Sequence, residues 1–295
     1  MPLSPMDTAQ AAINSEANPF QTIAVEQVGG VLHVRLNRPE SRNAMSLHMV
    51  AELRQALLSA EQSAGQTGAV RVLVLRGEGG HFCSGADLKD MAAARARLMQ
   101  SPSDAAEAGT GLDPIAQANA AFGELCAAYA QTPLAVVVVL EGTVMGGGFG
   151  LACVADVALA STTASFRLPE TSLGVVPAQI APFLVERLGY SQAKRLAVTG
   201  GRLDAATALA LGLVHSVHAP EAVEAALNQV LVDILACAPN ALAATKSLMA
   251  RARWCAPQDL VHEAARTFSQ AAQSPEAMEG MGAFLQKRKP QWALQ

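Results

Sequence analysis

The chain has little charge of either sign, few aromatic residues and no long apolar run. Its 21 Lys and Arg stand against 25 Asp and Glu, a net charge of −4, so it lacks the basic surface that binds nucleic-acid phosphates. The longest unbroken apolar run, Leu134–Leu140, has seven residues, whereas a helix that crosses a bilayer needs roughly 20. We therefore expect neither a nucleic acid nor a membrane as a partner.

Cysteine is also scarce. The five cysteines are an odd number and no two form a C-x-x-C pair, which argues against a disulfide framework and against a zinc site. The first 20 residues contain neither the apolar segment of a secretory signal nor the Arg residues of a transit peptide. These absences predict a protein of the reducing cytoplasm without a bound metal, with residues 1–18 as a flexible tail.

Apolar residues, at 51%, are abundant enough to bury a large core. Their periodicity predicts alternating strands and helices to about residue 217 and mostly helices after it, which indicates an α/β fold with a helical tail. We predict a core over residues 19–217, a helical region over 218–295 and a mobile loop at Ser101–Pro114. The predicted strands cover residues 31–36, 70–75, 134–140, 157–160, 164–167 and 213–217, and the predicted helices before residue 177 begin near Ser46, Leu88 and Ile115.

A run of three glycines, Gly146, Gly147 and Gly148, follows the strand predicted at 134–140. A turn without side chains lets backbone N–H groups approach a ligand closely, and the start of a helix adds partial positive charge. The alternative is a tight turn that serves only close helix packing. A dinucleotide fingerprint is excluded, because it would need a further glycine where Leu151 or Cys153 stands.

The segment His81–Leu88 also follows a predicted strand and contains Ser84-Gly85-Ala86. Its small residues are compatible with a second exposed N–H group, but taken alone the segment favours an ordinary loop with Asp87 as the helix N-cap. No G-x-S-x-G motif surrounds Ser84, so it is not predicted to be a nucleophile.

Glu170 follows a proline within the largely apolar segment Phe166–Gly174. Apolar surroundings disfavour the charged form of a carboxylate, which adjusts it for general acid or base chemistry near neutral pH. A glutamate in a surface turn is the alternative interpretation.

Taken together and in order, these segments resemble the crotonase (enoyl-CoA hydratase/isomerase) superfamily over about residues 20–290. Seven collinear motifs carry the resemblance, which makes chance agreement very improbable. The motifs are Leu36–Glu40 with Asn43-Ala44, His81–Leu88, Gly142–Gly148, Ala155–Ala158, Leu168–Gly174, Ala210–Val214 and Glu279–Lys289.

The resemblance implies a spiral of β-β-α units with a C-terminal helical trimerisation region, assembled as a homotrimer or a hexamer. It implies an oxyanion hole for an acyl-CoA thioester, formed by the N–H groups of Ala86 and Gly147, and Glu170 as the acid/base. It implies no metal and no cofactor, since coenzyme A enters as part of the substrate. The substrate-binding positions that it implies are Arg42, Ala44, Ser84, Asp87, Leu88 and Gly146, with Phe284 and Lys287 closing the coenzyme A site, in the family sometimes from a neighbouring subunit.

The chain departs from the two-glutamate hydratases of this family, because Gly150 stands where their first glutamate would be. A single carboxylate is what moving a double bond requires, which favours a Δ3-Δ2 enoyl-CoA isomerase. The segment Leu173–Phe183, however, resembles hydratases of methylglutaconyl-CoA and isohexenylglutaconyl-CoA, which also tend to have glycine there. We weigh this second resemblance slightly higher and predict a hydratase of a branched 2-enoyl-CoA, with an acyl-CoA-binding protein without catalysis as a further alternative.

Overall fold

The structure is a computed structural model that describes residues 18–66, 68–100 and 111–293. The predicted tail, apart from residue 18, and most of the predicted loop at Ser101–Pro114 lie outside the described residues. The strands are β1 (Ile23–Val28), β2 (Val31–Leu36), β3 (Val72–Gly77), β4 (Ala135–Leu140), β5 (Thr143–Met145), β6 (Val157–Ser161), β7 (Ser165–Arg167), β8 (Arg202–Asp204) and β9 (Ser216–His218). The helices are α1 (Leu47–Gln62), α2 (Leu88–Gln100), α3 (Pro114–Gln131), α4 (Gly147–Val154), α5 (Ala181–Thr199), α6 (Ala205–Ala210), α7 (Val223–Ala236), α8 (Pro239–Ala252), α9 (Pro257–Ala272) and α10 (Pro275–Leu285).

Two sheets organise the chain. Six strands form the first sheet in the order β1-β2-β3-β4-β6-β9, in which only β1 and β2 pair antiparallel, and β5, β7 and β8 form the second. Every residue of β4 is buried, because a strand inside a parallel sheet is covered on both faces. Val136 and Val138 enter a core with α1, α3 and α4, whereas Val137 and Val139 enter a smaller core covered by α7. The predicted α/β fold of strand pairs and helices followed by C-terminal helices is confirmed.

Several elements differ from the sequence-based predictions. The strands β1, β5 and β8 were not predicted, and the strand expected at 213–217 lies at Ser216–His218. Leu213 instead closes a turn after α6, where its N–H donates to Ala208 O at 2.9 Å and its side chain is fully buried. An apolar run therefore marked burial at this point without marking a strand.

The C-terminal region begins with a helix that completes the core. The buried residues of α7 recur at helical spacing and pack on the second face of the large sheet; they are Val223, Leu227, Leu231 and Leu235. None of the described helices is by itself long and apolar enough to cross a membrane. The helices Pro220–Ala236 and Pro239–Ala252 reach the length and apolarity of a membrane span only when they are taken as a pair, and this pair is bent by 98°.

Candidate active site

Two turns at the ends of neighbouring chain segments form the centre of the candidate site. Cys83 lies parallel to β5: its N–H donates to Thr143 O at 2.9 Å, and its carbonyl accepts from Met145 N–H at 2.9 Å. Because the two segments run in the same direction, the turns that follow them leave at the same end. These turns lie very close together, since a Cβ added to Gly146 would be 3.3 Å from Gly85 Cα.

The first turn presents the N–H of Ala86. The chain on either side of Ala86 bonds to Met45, whose N–H donates to Gly85 O at 2.7 Å and whose carbonyl accepts from Asp87 N–H at 2.9 Å. These bonds fix the backbone around Ala86 and leave its own N–H unused. Among the described residues, none accepts a hydrogen bond from that N–H.

The second turn presents the N–H of Gly147, the first residue of α4. The first hydrogen bond within α4 runs from Gly150 N–H to Gly146 O at 3.0 Å, so the N–H of Gly147 has no partner inside the helix. No other described residue accepts from it. The N-terminus of α4 therefore adds a second free donor and partial positive charge to the site.

Glu170 is the carboxyl group beside these turns. It begins a short 3-10 turn, Glu170–Leu173, directly after Pro169. A Cβ added to Gly146 would lie 3.1 Å from Glu170 Oε1, so glycine is required there both by this contact and by its φ of 49°. Glu170 Oε2 is buried and has no hydrogen-bond partner among the residues that the structure describes. Burial raises the pKa of Glu170 above its usual value.

The predicted coenzyme A positions lie in two loops that bond to each other. Ser84 joins them: its N–H donates to Arg42 O at 2.9 Å, and its Oγ donates to Ser41 O at 2.8 Å. Arg42 has φ 51°, an unusual value for a residue other than glycine, at the end of a turn over Pro39–Ser41. The structure thus brings Arg42 and Ser84 into one surface.

The same surface includes Ala44, Asp87 and Leu88, and the first two of these are joined through a residue that was not predicted. Arg38 Nη1 donates to Ala44 O at 2.7 Å and lies 2.8 Å from Asp87 Oδ2. Asp87 also caps α2, since its Oδ1 accepts from Lys89 N–H at 2.9 Å. Leu88 is 72% exposed, an apolar surface open to a ligand.

Asn43 is a second residue whose role was not predicted. It is fully buried at φ 56°; its Nδ2 donates to Glu78 O at 2.9 Å and to His81 O at 2.7 Å, and its Oδ1 accepts from Arg38 N–H at 2.8 Å. Asparagine tolerates left-handed backbone better than most residues. It thereby holds the Arg42 loop against the segment that leads to Ala86.

Phe284 and Lys287 lie elsewhere in the chain. Phe284 is near the end of α10, which packs on α9, and it is 83% exposed. Lys287 follows with φ 54°, and its N–H donates to Phe284 O at 3.1 Å. No hydrogen bond or ion pair of the described residues links these two positions to Glu170 or to the two turns. Their contribution to a neighbouring subunit's site stays a prediction.

The place of the missing carboxylate is occupied by apolar groups. A Cβ added to Gly150 would lie 3.2 Å from Phe122 Cζ and 3.2 Å from Ile180 Cγ1. The same ring of Phe122 faces Gly147, where an added Cβ would lie 3.3 Å from it. A glutamate at position 150 would therefore displace packed side chains, and this side of the α4 N-terminus is an apolar wall.

The arrangement suits one kind of chemistry. Two free N–H donors at facing turns stabilise negative charge that develops on a carbonyl oxygen, and a carboxyl of raised pKa transfers a proton next to it. The described residues contain no group of three or more His, Cys, Asp or Glu side chains placed to hold a metal ion. The two free N–H groups and the Glu170 carboxyl could therefore support proton transfer beside an oxyanion.

Comparison with known proteins gives matches over nearly the whole chain. The family described as Enoyl-CoA hydratase/isomerase matches residues 26–295. An enoyl-CoA hydratase/isomerase from Marinobacter aquaeolei has a similar structure, with a TM-score of 0.86 and 47% identity over 92% of this chain and 99% of that one. Pseudomonas aeruginosa AtuE has a TM-score of 0.85 and 48% identity over 93% of this chain and 100% of its own. The predicted crotonase-like fold is confirmed.

Curated relatives are more distant but cover a similar extent. A probable enoyl-CoA hydratase from Rhizobium meliloti is 31% identical over 277 residues, which are 92% of this chain and 98% of the relative. A peroxisomal Δ(3,5)-Δ(2,4)-dienoyl-CoA isomerase from Arabidopsis thaliana is 28% identical over 268 residues, 89% of this chain and 92% of the relative. Both hydratases and isomerases are therefore among the proteins similar to this chain.

Proposed function

Since the chain belongs to the enoyl-CoA hydratase/isomerase family, we propose that it adds water across the 2,3-double bond of a branched 2-enoyl-CoA. In this reaction the thioester oxygen accepts from the N–H groups of Ala86 and Gly147, and Glu170 is the single acid/base. The observation that carries this proposal is the buried, unpartnered Oε2 of Glu170 beside the Gly146 turn. Acid/base chemistry with one carboxyl group requires no cofactor, and the proposed setting is the cytoplasm.

One carboxyl group suffices for the complete addition when it acts twice. The ionised Glu170 takes a proton from water while the hydroxyl oxygen bonds to C3 and the electron pair of the double bond moves toward the thioester. The resulting enolate oxygen is stabilised by the two N–H donors, a type of contact whose loss costs about 2.7–4 kcal/mol in enzymes. Glu170 then gives its proton to C2, which completes the addition and restores the carboxylate.

The proposal of a branched acyl chain is supported by the apolar side chains beside Gly150. Partly buried Phe122, backed by buried Ile180, is apolar where a second carboxylate would otherwise hold water. The resemblance of Leu173–Phe183 to hydratases of branched glutaconyl thioesters points the same way. We propose that the acyl pocket is further lined by Met91 and Leu173, whose side chains are 40% and 67% exposed.

Isomerisation of a 3-enoyl-CoA is the second candidate, and it is favoured by the same single carboxyl group. Here Glu170 takes a proton from C2 and returns it to C4, so that no water is consumed. The similarity to the Arabidopsis thaliana isomerase supports this candidate. Binding of acyl-CoA without catalysis is a third outcome of the test below.

The test is a mass spectrum of the products after separate incubations with 3-methylglutaconyl-CoA and with a 3-enoyl-CoA. We expect a gain of one water on the first substrate. An unchanged mass with a moved double bond on the second substrate would instead assign the isomerase. Glu170→Gln is the control, because it preserves shape while removing the acid/base. Conversion of neither substrate, together with tight binding of a saturated acyl-CoA, would contradict catalysis on these chains.

A homotrimer, or a hexamer built from two trimers, is proposed for the assembly. Its support is apolar surface on the C-terminal helices, which would be stabilised by burial against another subunit. Light scattering should give three or six times the 30.5 kDa of one chain, and a mass equal to one chain would contradict it. The large apolar residues that are exposed on α9 and α10 are Val261, Phe268, Met278, Met281, Phe284 and Leu285.

A further inference from the structure

The C-terminus of α4 is held by one side chain from α5. Arg187 Nε and Nη2 donate to Cys153 O at 3.1 and 3.0 Å, and Nη2 also reaches Ala152 O at 3.4 Å. A further hydrogen bond runs from Nη2 to Ala155 O. One guanidinium group therefore donates hydrogen bonds to the carbonyls of three residues at the end of the helix whose first residue is Gly147.

These carbonyls would otherwise lack donors. The last carbonyls of a helix have no partner within it, and they must be satisfied by side chains, by water or by a following turn. All residues of α4 from Gly148 to Val154 are buried, so water has little access to the helix except at its C-terminal end, where Cys153, Val154 and Ala155 line a cavity. An arginine matches this end well, because it has several donors in a planar fork and a charge opposite to the helix dipole.

Arg187 packs beside His215. The imidazole Nε2 lies 3.3 Å from Arg187 Nη1, while Nδ1 accepts from Ala158 N–H at 2.9 Å. Burial, and after it the charge of Arg187, lowers the pKa of His215. The ring is thus uncharged near neutrality. Because Nδ1 accepts, the proton of the ring is on Nε2, so His215 packs against the guanidinium without a hydrogen bond to it. The nearby carboxylates have their own partners, since Glu186 pairs with Arg253 and Asp156 with Lys246.

The short length of α4 connects this end to the chemistry. The eight residues of α4 span about 12 Å along the helix axis, and so short a helix moves as a rigid unit. A shift of its C-terminus would move the Gly147 N–H by a similar distance. We propose that Arg187 is a positioning residue, which holds α4 so that the Gly147 N–H points at the thioester oxygen. This inference rests on the oxyanion hole of the proposed function.

The test compares the strength of the oxyanion hole in matched variants. The probe is butanoyl-CoA labelled with 13C at its thioester carbonyl, which is saturated and cannot be hydrated or isomerised. Infrared spectroscopy of the bound probe measures how far the hole lowers the carbonyl stretching frequency. The variants are Arg187→Met, which removes all donors, and Arg187→Lys, which keeps the charge. The control is Arg195→Met on the same helix, because Arg195 Nε bonds only to Gln192 Oε1 among the described residues, at 2.9 Å.

We expect wild type and Arg195→Met to lower the stretching frequency equally, Arg187→Lys to lower it less and Arg187→Met least. With the substrate that wild type converts, kcat of Arg187→Met should fall about tenfold while KM changes less than twofold. A purely structural cap would lower Tm in the variants but leave the frequency shift of the folded protein intact, and that result would overturn the proposal. Should Arg187→Met fail to fold, a full wild-type shift in Arg187→Lys would overturn it equally. No shift in wild type would instead contradict the oxyanion hole itself.

Discussion

Replacing Glu170 by Gln separates catalysis from stability at one position. The amide has the shape of the carboxyl group, but it neither takes a proton from water nor gives one to C2. Loss of a positioned acid/base lowers kcat by roughly 10²–10⁴, which is about 3–5 kcal/mol in the activation barrier. The variant should still bind butanoyl-CoA, since Ala86 and Gly147 act through their backbone.

The same substitution should not destabilise the fold. Glu170 Oε2 makes no hydrogen bond within the described chain, so no partner is left behind. Burial raises the pKa of Glu170 in the folded state, which means that folding disfavours the carboxylate. The wild type therefore loses stability as pH rises from the unfolded pKa through the folded one, and the variant does not. The free energy of unfolding of Glu170→Gln should match wild type near pH 4 and exceed it near pH 8.

Glu52 is the matched control, because its environment is the opposite. Its carboxylate accepts from Gln21 N–H at 2.6 Å and from Thr22 N–H at 2.8 Å, and its pKa is lowered by these hydrogen bonds, which outweigh the effect of desolvation. Glu52→Gln should lower stability at pH 7, lose that effect as pH falls through the folded pKa, and leave kcat unchanged. Urea unfolding across pH and turnover by mass spectrometry measure both quantities. Near-full turnover by Glu170→Gln, or a stability loss like that of Glu52→Gln, would refute the reasoning.

Three further substitutions test the packing of the site. Gly146→Ala places a Cβ 3.1 Å from Glu170 Oε1 at φ 49°, so we expect a loss of about 1–3 kcal/mol in urea unfolding and a lower kcat. Gly150→Ala, which presses on the Phe122 ring at 3.2 Å, should cost about 1–3 kcal/mol, and adding Phe122→Leu should recover part of it. Asn43→Ala leaves two part-buried carbonyls without their donor, so unfolding should need about 1–3 kcal/mol less, and an unchanged urea midpoint would contradict that role.

Some of the fold was predictable because the buried residues of a strand are consecutive in the sequence. Val136–Val139 is buried on both faces, and its sequence shows that directly. The strand β1 was missed because only Ile23 of its six residues is buried, so no alternation is visible. The three residues of β5 became a strand only through their pairing with Cys83 and β7, which are distant in sequence.

The site divides in the same way. Glycine at 146 and 147 and a glutamate after Pro169 are local signals, and the resemblance joined them into one site. Phe122 gave no such signal, because an apolar residue at helical spacing does not reveal which glycine it will face. The sequence likewise does not distinguish Arg187 from an ordinary cation on the surface of a helix. Its partners are backbone carbonyls, which every residue carries, so nothing in the sequence marks them.

The absence of a second carboxylate makes the placement of dipoles more important. Burial is the main cause of the raised pKa of Glu170, and a hydrogen bond from its own backbone N–H offsets that effect only in part. In the proposed reaction, negative charge on the thioester would be stabilised by two backbone N–H groups and by the N-terminus of α4, and such dipole contacts weaken quickly when displaced. A helix that is buried along its length, faced by Phe122 at Gly147 and Gly150 and capped by Arg187 at its end, limits that displacement. The apolar packing at Gly150, where a first glutamate would stand, thus also fixes the Gly147 N–H group. The proposed chemistry of Glu170 depends on that donor.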